Sequence, residues 1–331
     1  MNATRSLDVL EASIPRQPRP TRARRLLLSL TVALGLLATA CGDRDGRTNA
    51  SAGNGAGGAD EVFTIGAIPD QDPEVLQRLY ASVADHLSEE LGVAVEYVPV
   101  TDYAASVSLF RAGDLDMVWF GGLTGVQARL QVDGAQAIVQ RDIDENFHSI
   151  FIAGAASGLS PVDDVAGLSQ LAGKRFTFGS ESSTSGRLMP QFFLNEAGVN
   201  TEDFAGPPGF SGSHDTTIEL VEAGTFEAGV LNEQVWKSRT EAGEVDLTKV
   251  RAIFRTPAYH DYHWVIRPDV TERYGDDFVR RVQDAFTGLD PADPAEAEIL
   301  ELFGAEEFIP TDNANYDQIE EVARELGLVR G

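Results

Sequence analysis

Two loops rich in small and hydroxylated residues carry the chemistry that this sequence offers. The first is Phe178-Gly179-Ser180-Glu181-Ser182-Ser183-Thr184-Ser185-Gly186, between a run that reads as a strand and one that reads as a helix. Hydroxyls and free backbone N–H groups at a helix N-terminus bind an anion without a cationic side chain. The positive end of the helix dipole adds to the attraction. The same composition also suits a plain helix cap, where Ser and Thr are preferred anyway. The second loop is Trp119-Phe120-Gly121-Gly122-Leu123-Thr124-Gly125, again between a strand and a helix. Its glycines permit close backbone approach to a ligand, although a tight turn would read the same way. One such loop on each of two lobes would let a cleft close on an anion from both sides.

Two other chemistries compete for these residue types. Ser, His and Asp together raise a hydrolase, but the nucleophile-elbow pattern G-x-S-x-G is missing around Ser183. Gly209-Phe210-Ser211-Gly212-Ser213 only approaches it. The elbow needs a strand leading into the turn, and Pro207-Pro208 argues against one. His260-Asp261-Tyr262-His263 raises a metal site, yet on a strand the two histidines point to opposite faces. No second His/Cys cluster completes a four-ligand set. No P-loop, zinc-finger spacing or dinucleotide fingerprint is present. The sequence therefore leads us to expect no catalytic residue, no cofactor and no metal.

The net charge of −26 argues against nucleic acid as a partner, because phosphate backbones are held by clustered Lys and Arg. It also means that any anion must be attracted locally, against the overall field. Arg16, Arg19, Arg22, Arg24 and Arg25 lead into an apolar run over 26–40, short of the ~20 residues that span a bilayer. Basic leader, short apolar core and small residues together describe an export signal. The run ends Leu37-Ala38-Thr39-Ala40-Cys41, which resembles a bacterial lipobox apart from Ala38, where a bulkier residue is usual. Cys41 is the only cysteine, and lipidation gives a lone cysteine in an exported chain a purpose. Residues 42–60, rich in Gly, Ala, Asn and Ser, read as a flexible tether.

The elements that must position the two loops follow from periodicity. Strands are expected at 62–67, 93–98 and 115–119, alternating with helices at Pro73–Leu91, Tyr103–Ala112 and 124–130. The pattern resumes with strands at 175–178, 228–231, Val250–Arg255 and 264–266, and helices at 185–197 and 216–223. Further helices are expected near 276–286, 295–303 and 316–326. Alternation at this spacing indicates α/β lobes with mainly parallel sheets. The expected organisation is an export signal (1–40), a tether (41–60), one lobe from 61–152 and 258–331, and a second from 153–257. Ligands bind beyond the carboxyl ends of such strands, often between domains.

Asp102-Tyr103-Ala104-Ala105, Asp114-Leu115-Asp116-Met117-Val118-Trp119-Phe120-Gly121, Ser183-Thr184-Ser185-Gly186 and His214 occur in the order seen in periplasmic phosphate/phosphite/phosphonate-binding proteins of ABC transporters. The chain resembles that family from about residue 62 to 268. The wording from Trp119 to Arg129 is most similar to a branch assigned to selenate binding. The resemblance implies a two-lobed fold of the type II solute-binding class, with Ser183, Thr184 and Ser185 holding oxyanion oxygens. It further implies donors from Tyr103 and His214, with Gly121, Gly122 and Thr124 lining the opposite loop. Glu233 matches a position that meets the amino end of aminophosphonates, and Asp261 the second acidic pocket residue. An aromatic donor expected near Phe147-His148 is Phe147 here, which lacks a hydroxyl; either a donor is lost or His148 takes over. The implied protein is an exported, lipid-anchored monomer that works with a permease and an ATPase.

The carboxylates divide the candidate ligands. Selenate and sulfate have no proton to give Asp261 or Glu233, whereas monoprotonated phosphate, phosphite or a phosphonate does. At an effective dielectric near 20 two like charges in contact repel by roughly 4 kcal/mol. Pocket carboxylates thus favour a protonated phosphorus oxyanion, while the branch resemblance points to selenate.

Overall fold

A computed structural model describes residues 61–329. The expected export signal, Cys41 and the tether lie outside the described residues. The chain opens with β1 (Phe63–Ala67), α1 (Pro73–Leu91), β2 (Val95–Tyr97), α2 (Tyr103–Ala112), β3 (Met117–Phe120), α3 (Gly122–Arg129) and β4 (Gln136–Arg141). It crosses to a second lobe with β5 (Ser149–Gly154) and β6 (Phe176–Phe178), followed by a π-helical turn (Thr184–Leu188) that runs into α4 (Met189–Glu196). There follow β7 (Gly209–Phe210), α5 (His214–Glu222), β8 (Ala228–Asn232), α6 (Glu233–Glu241) and β9 (Val250–Arg255). The return to the first lobe brings β10 (His263–Ile266), α7 (Val270–Tyr274), α8 (Phe278–Thr287), α9 (Pro294–Phe303), β11 (Phe308–Pro310) and α10 (Asp317–Glu325).

Local chemistry sets the helix limits. Asp72 caps α1 by accepting from the amides of Glu74 and Val75, Pro73 takes the first helical position, and Gly92 ends the helix at φ 66°. A left-handed residue there suits glycine because it has no Cβ to clash. Asp102 and Gly113 do the same for α2, which places Tyr103 at the first helical position.

The first sheet has the order β11-β4-β10-β3-β1-β2 and the second β7-β6-β8-β5-β9. Both are mixed, which corrects the expectation of mainly parallel sheets. β1 runs parallel to β2 and β3, and β6 parallel to β7 and β8. β10 is antiparallel to β3 and β4, and β5 antiparallel to β8 and β9. The reason is connectivity: β5 and β10 enter their sheets directly from the other lobe, without the crossover helix that a parallel neighbour requires. The first boundary also moves. β5 pairs wholly within the second sheet, so the chain leaves the first lobe between Arg141 and Ser149 rather than at 152. It returns between Arg255 and His263.

The core sits on both faces of each sheet. All four residues of β3 are buried, as expected of a central strand covered on both sides. In β5, Ile150 and Ile152 pack with Ile218 and Leu231, while Phe151 and Ala153 join the larger cluster with Phe176 and Val230. That split is the two-residue strand period at work. β7 is a two-residue edge strand directly after Pro207-Pro208, where the sequence argued against any strand. An edge position needs no amide from the preceding prolines.

Candidate functional site

The two loops singled out by composition meet across the seam between the lobes. Gly121 is the N-cap of α3, with φ −75° and ψ 166°, so the first amides of α3 face the second lobe. The Leu123 amide donates to Thr184 Oγ1 at 2.9 Å, and the Gly122 amide donates to Asp261 Oδ1 at 2.9 Å. Gly121 is glycine for lack of room: a Cβ there would lie 3.1 Å from Thr184 Oγ1 and 3.2 Å from Asp261 Oδ1. On the other side, the Gly179 amide bonds Gly186 O at 2.8 Å. This pinch forces the intervening serines into a compact turn. Ser183 accepts from the Gly186 amide at 2.9 Å and so caps its own helix.

Three polar atoms in this region are buried without a partner among the described residues: Tyr103 Oη, Ser185 Oγ and Asp261 Oδ2. Leaving one such group unsatisfied costs about 1–3 kcal/mol, so each marks a place where an outside group can bond. They are neighbours. Asp261 lies beside Thr184 and Ser185, and its carboxyl is pushed up to about 7, chiefly by burial. Tyr103 lies near Ser183 and feels the charge of Asp261. The set therefore offers hydroxyl donors and one carboxyl that holds a proton more readily than usual.

His214 is fully buried but already engaged. Its Nδ1 accepts the Asn232 amide at 3.3 Å, which leaves the proton on Nε2 to be donated to Tyr262 Oη at 3.2 Å. Burial holds its pKa down at about 3, so it is a neutral donor. Asn232 Nδ2 also donates to Tyr262 Oη, at 2.9 Å. Tyr262 lies beside Asp70, whose carboxyl burial pushes up to about 7. Asp70, Asn232 and Tyr262 were missed by sequence reasoning. The available signal was position: Asp70 follows the carboxyl end of β1 and Asn232 is the last residue of β8, where α/β sheets place ligands.

The crossings are tied by a buried ion pair that also went unread. Arg141 Nε and Nη2 each lie 2.7 Å from Asp144, and Nη1 donates to Phe303 O at 2.8 Å. The guanidinium stacks 4.9 Å from the Tyr262 ring. Asp144 also accepts from the Tyr262 amide at 3.3 Å through its side chain, and from the Asp261 amide at 3.2 Å through its carbonyl. One crossing thus fixes the position of the other, and with it Asp261.

The remaining candidates fall elsewhere. Glu233 is held by Arg255 through two bonds of 2.5 and 2.8 Å and sits on the rim of an open surface cavity with Phe147 and Gln234, apart from the unpartnered group. The Thr124 hydroxyl donates to Gly121 O at 3.1 Å and so serves its own loop. Phe147 packs against Tyr259 and Tyr262, and the Nδ1 of His148 bonds Thr256 O at 2.7 Å. His263 is equally committed: Nδ1 donates to Asp261 O at 3.0 Å, and Nε2 accepts from Arg129 at 2.7 Å. Ser211, nearest to the elbow pattern, bonds Ser213 O and Thr217 Oγ1.

Two mixed α/β lobes joined by two short crossings, with unpartnered donors in the seam, define a two-lobed substrate-binding protein. The profile of the family described as ABC transporter, phosphonate, periplasmic substrate-binding protein matches residues 65–316, and the chain belongs to that family. It is 45% identical over 271 residues to the probable ABC transporter phosphite binding protein PhnD1 of Prochlorococcus marinus, covering 82% of this chain and 91% of that one. It is 28% identical to the phosphate-import protein PhnD of Mycolicibacterium smegmatis, over 71% of this chain and 74% of that one. The solved structure of Prochlorococcus PhnD1 in complex with methylphosphonate superposes with a TM-score of 0.79 at 44% identity, covering 81% of this chain and 99% of that one. The chain is thus an extracytoplasmic substrate-binding component of an ABC transporter, and its relatives are solute-binding proteins.

Proposed function

We propose that the protein captures a small, singly protonated phosphorus oxyanion of the phosphite or methylphosphonate kind and delivers it to its permease. The observation that carries this reading is Asp261. Its Oδ1 is bonded to Gly122, while its Oδ2 is buried and unpartnered beside Ser185. A ligand that keeps one proton can donate it to Oδ2 while its other oxygens accept from Ser185 and Tyr103. Above about pH 7, where Asp261 is ionised, selenate or sulfate would set a charge against that carboxylate without a proton to bridge them. The phosphite-binding and phosphate-import relatives agree with a phosphorus ligand.

In this reading Thr184 joins the lobes over the ligand, and His214 acts by orienting Tyr262. Ligand binding draws the lobes together because the closed form alone presents all the donors, and a ligand shifts an equilibrium only through such differential affinity. The protein works as a monomer held at the outer face of the membrane by lipid on Cys41. The Asp261→Asn variant tests the ligand assignment. It replaces the acceptor Oδ2 with an amide, and phosphite affinity is expected to fall at least tenfold while sulfate and selenate gain or hold. Unchanged phosphite affinity would sink the assignment.

A further inference from the structure

The lobes are also joined at a second place, away from the unpartnered donors. Asp72 caps α1 with its carboxylate, accepting from Glu74 at 2.8 Å and Val75 at 3.4 Å. In a complete capping box the third helical residue accepts the cap residue's own amide in return. Here that residue is Val75, which has no acceptor to offer. The Asp72 amide instead donates to Asp215 Oδ2 at 2.7 Å, from the second position of α5 in the other lobe. The His214 amide donates in the opposite direction, to Asp70 O at 2.9 Å. Asp215 is held for this by Arg239 Nε, 2.8 Å from its other carboxylate oxygen, and is only 7% exposed. The seam beside it widens into a cavity of about 440 Å³, lined among others by Gln71, Arg78, Asp215 and Lys237.

We propose that Asp215 is a positioning residue for ligand capture, completing the cap of α1 only when the lobes meet and so setting the open–closed balance. The proposal rests on the reading of the seam as the ligand site. When the lobes part, Asp215 keeps Arg239 and the Asp72 amide turns to water, so the bond counts only toward the closed form. A ligand that binds the closed form loses apparent affinity in proportion to any fall in the population of that form. Because Asp215 acts on the lobes and not on the ligand, its removal weakens every ligand of the cleft by one common factor. A hydrogen bond to a charged group, once truncated, gives a loss of about tenfold or more. The same residue carries His214 beside it, so the latch and the Asp70–Tyr262 network move as one unit.

The test combines titration of phosphite and methylphosphonate with an interlobe distance in ligand-free protein. Spin labels at Glu89→Cys and Glu202→Cys, exposed in α1 and just before α5's half of the second lobe, report the distance in a Cys41→Ser chain. The Asp215→Ala variant is expected to bind both ligands about tenfold more weakly, through faster dissociation, and to show longer ligand-free distances than wild type. Asp215→Asn, which keeps an acceptor oxygen and the volume, is expected to fall between the two and serves if the alanine variant does not fold. Unchanged distances in the variant that folds would overturn the proposal, as would an affinity loss confined to one ligand. If wild type takes neither ligand the proposed function fails, while the distances still decide whether Asp215 is a latch.

Discussion

Thr184 Oγ1, in the second lobe, accepts the amide of Leu123, in the first, at 2.9 Å. A side chain from one lobe thereby caps a helix of the other, so closing the cleft and completing the site are the same event. The Thr184→Val variant keeps the shape and removes the acceptor. It leaves the Leu123 amide without a partner, at about 1–3 kcal/mol. Ligand affinity is expected to drop about tenfold to hundredfold by calorimetry, with little change in the melting temperature.

Gly121 gives a steric version of the same claim. Its φ of −75° is open to any residue, so Gly121→Ala is expected to fold normally. The added methyl would sit 3.1 Å from Thr184 Oγ1 and 3.2 Å from Asp261 Oδ1, which separates the two partners of the α3 amides. Titration should show affinity falling well beyond any change in stability.

Much of this was legible in the sequence. The helices Pro73–Leu91 and Tyr103–Ala112 were bounded by Gly92 and Gly113, which act locally and therefore show in a single chain. The Ser183–Ser185 and Gly121–Gly122 loops were legible for the same reason. What escaped was set by long-range partners. β4 and β5 were not read because their place depends on which sheet the chain enters. Asp70, Arg141 and Tyr262 look like ordinary polar residues until the two crossings are brought together. Glu233 illustrates the converse: the family resemblance pointed to a ligand contact, but Arg255, 22 residues away, takes both its oxygens.

The buried acids and the buried histidine predict opposite pH dependences. Asp70 and Asp261, both pushed up to about 7, keep protons in the folded state that an unfolded carboxyl releases near pH ~4. The folded state then binds more protons between about 4 and 7, so their contribution to stability is lost as pH rises through that window. His214, held at about 3, stays neutral where the unfolded chain takes up a proton, so its contribution is lost as pH falls from ~6.5 toward 3. In melting curves across pH, Asp70→Asn is expected to gain on wild type from pH 4 to 7 and then hold constant. His214→Gln is expected to gain only below about 6.5. A flat difference for either variant would show that the group is not buried as described.

Arg141 and Asp144 predict a coupling. Removing one partner of a buried ion pair strands the other, at about 3–5 kcal/mol, so Arg141→Met is expected to be severely destabilised in urea denaturation. Combining it with Asp144→Asn should recover part of the loss, because the stranded charge is gone. Equal losses in the single and double variants would contradict the pairing.

The central claim is that the seam holds a singly protonated phosphorus oxyanion, with Asp261 as proton acceptor. Calorimetric titration above about pH 7, where Asp261 is ionised, with phosphite, methylphosphonate, phosphate, sulfate and selenate tests it most directly. Tight binding of phosphite or methylphosphonate, with sulfate and selenate at least tenfold weaker, is the result expected. Tight selenate binding without phosphite binding would contradict it and put Asp261 outside the anion's shell.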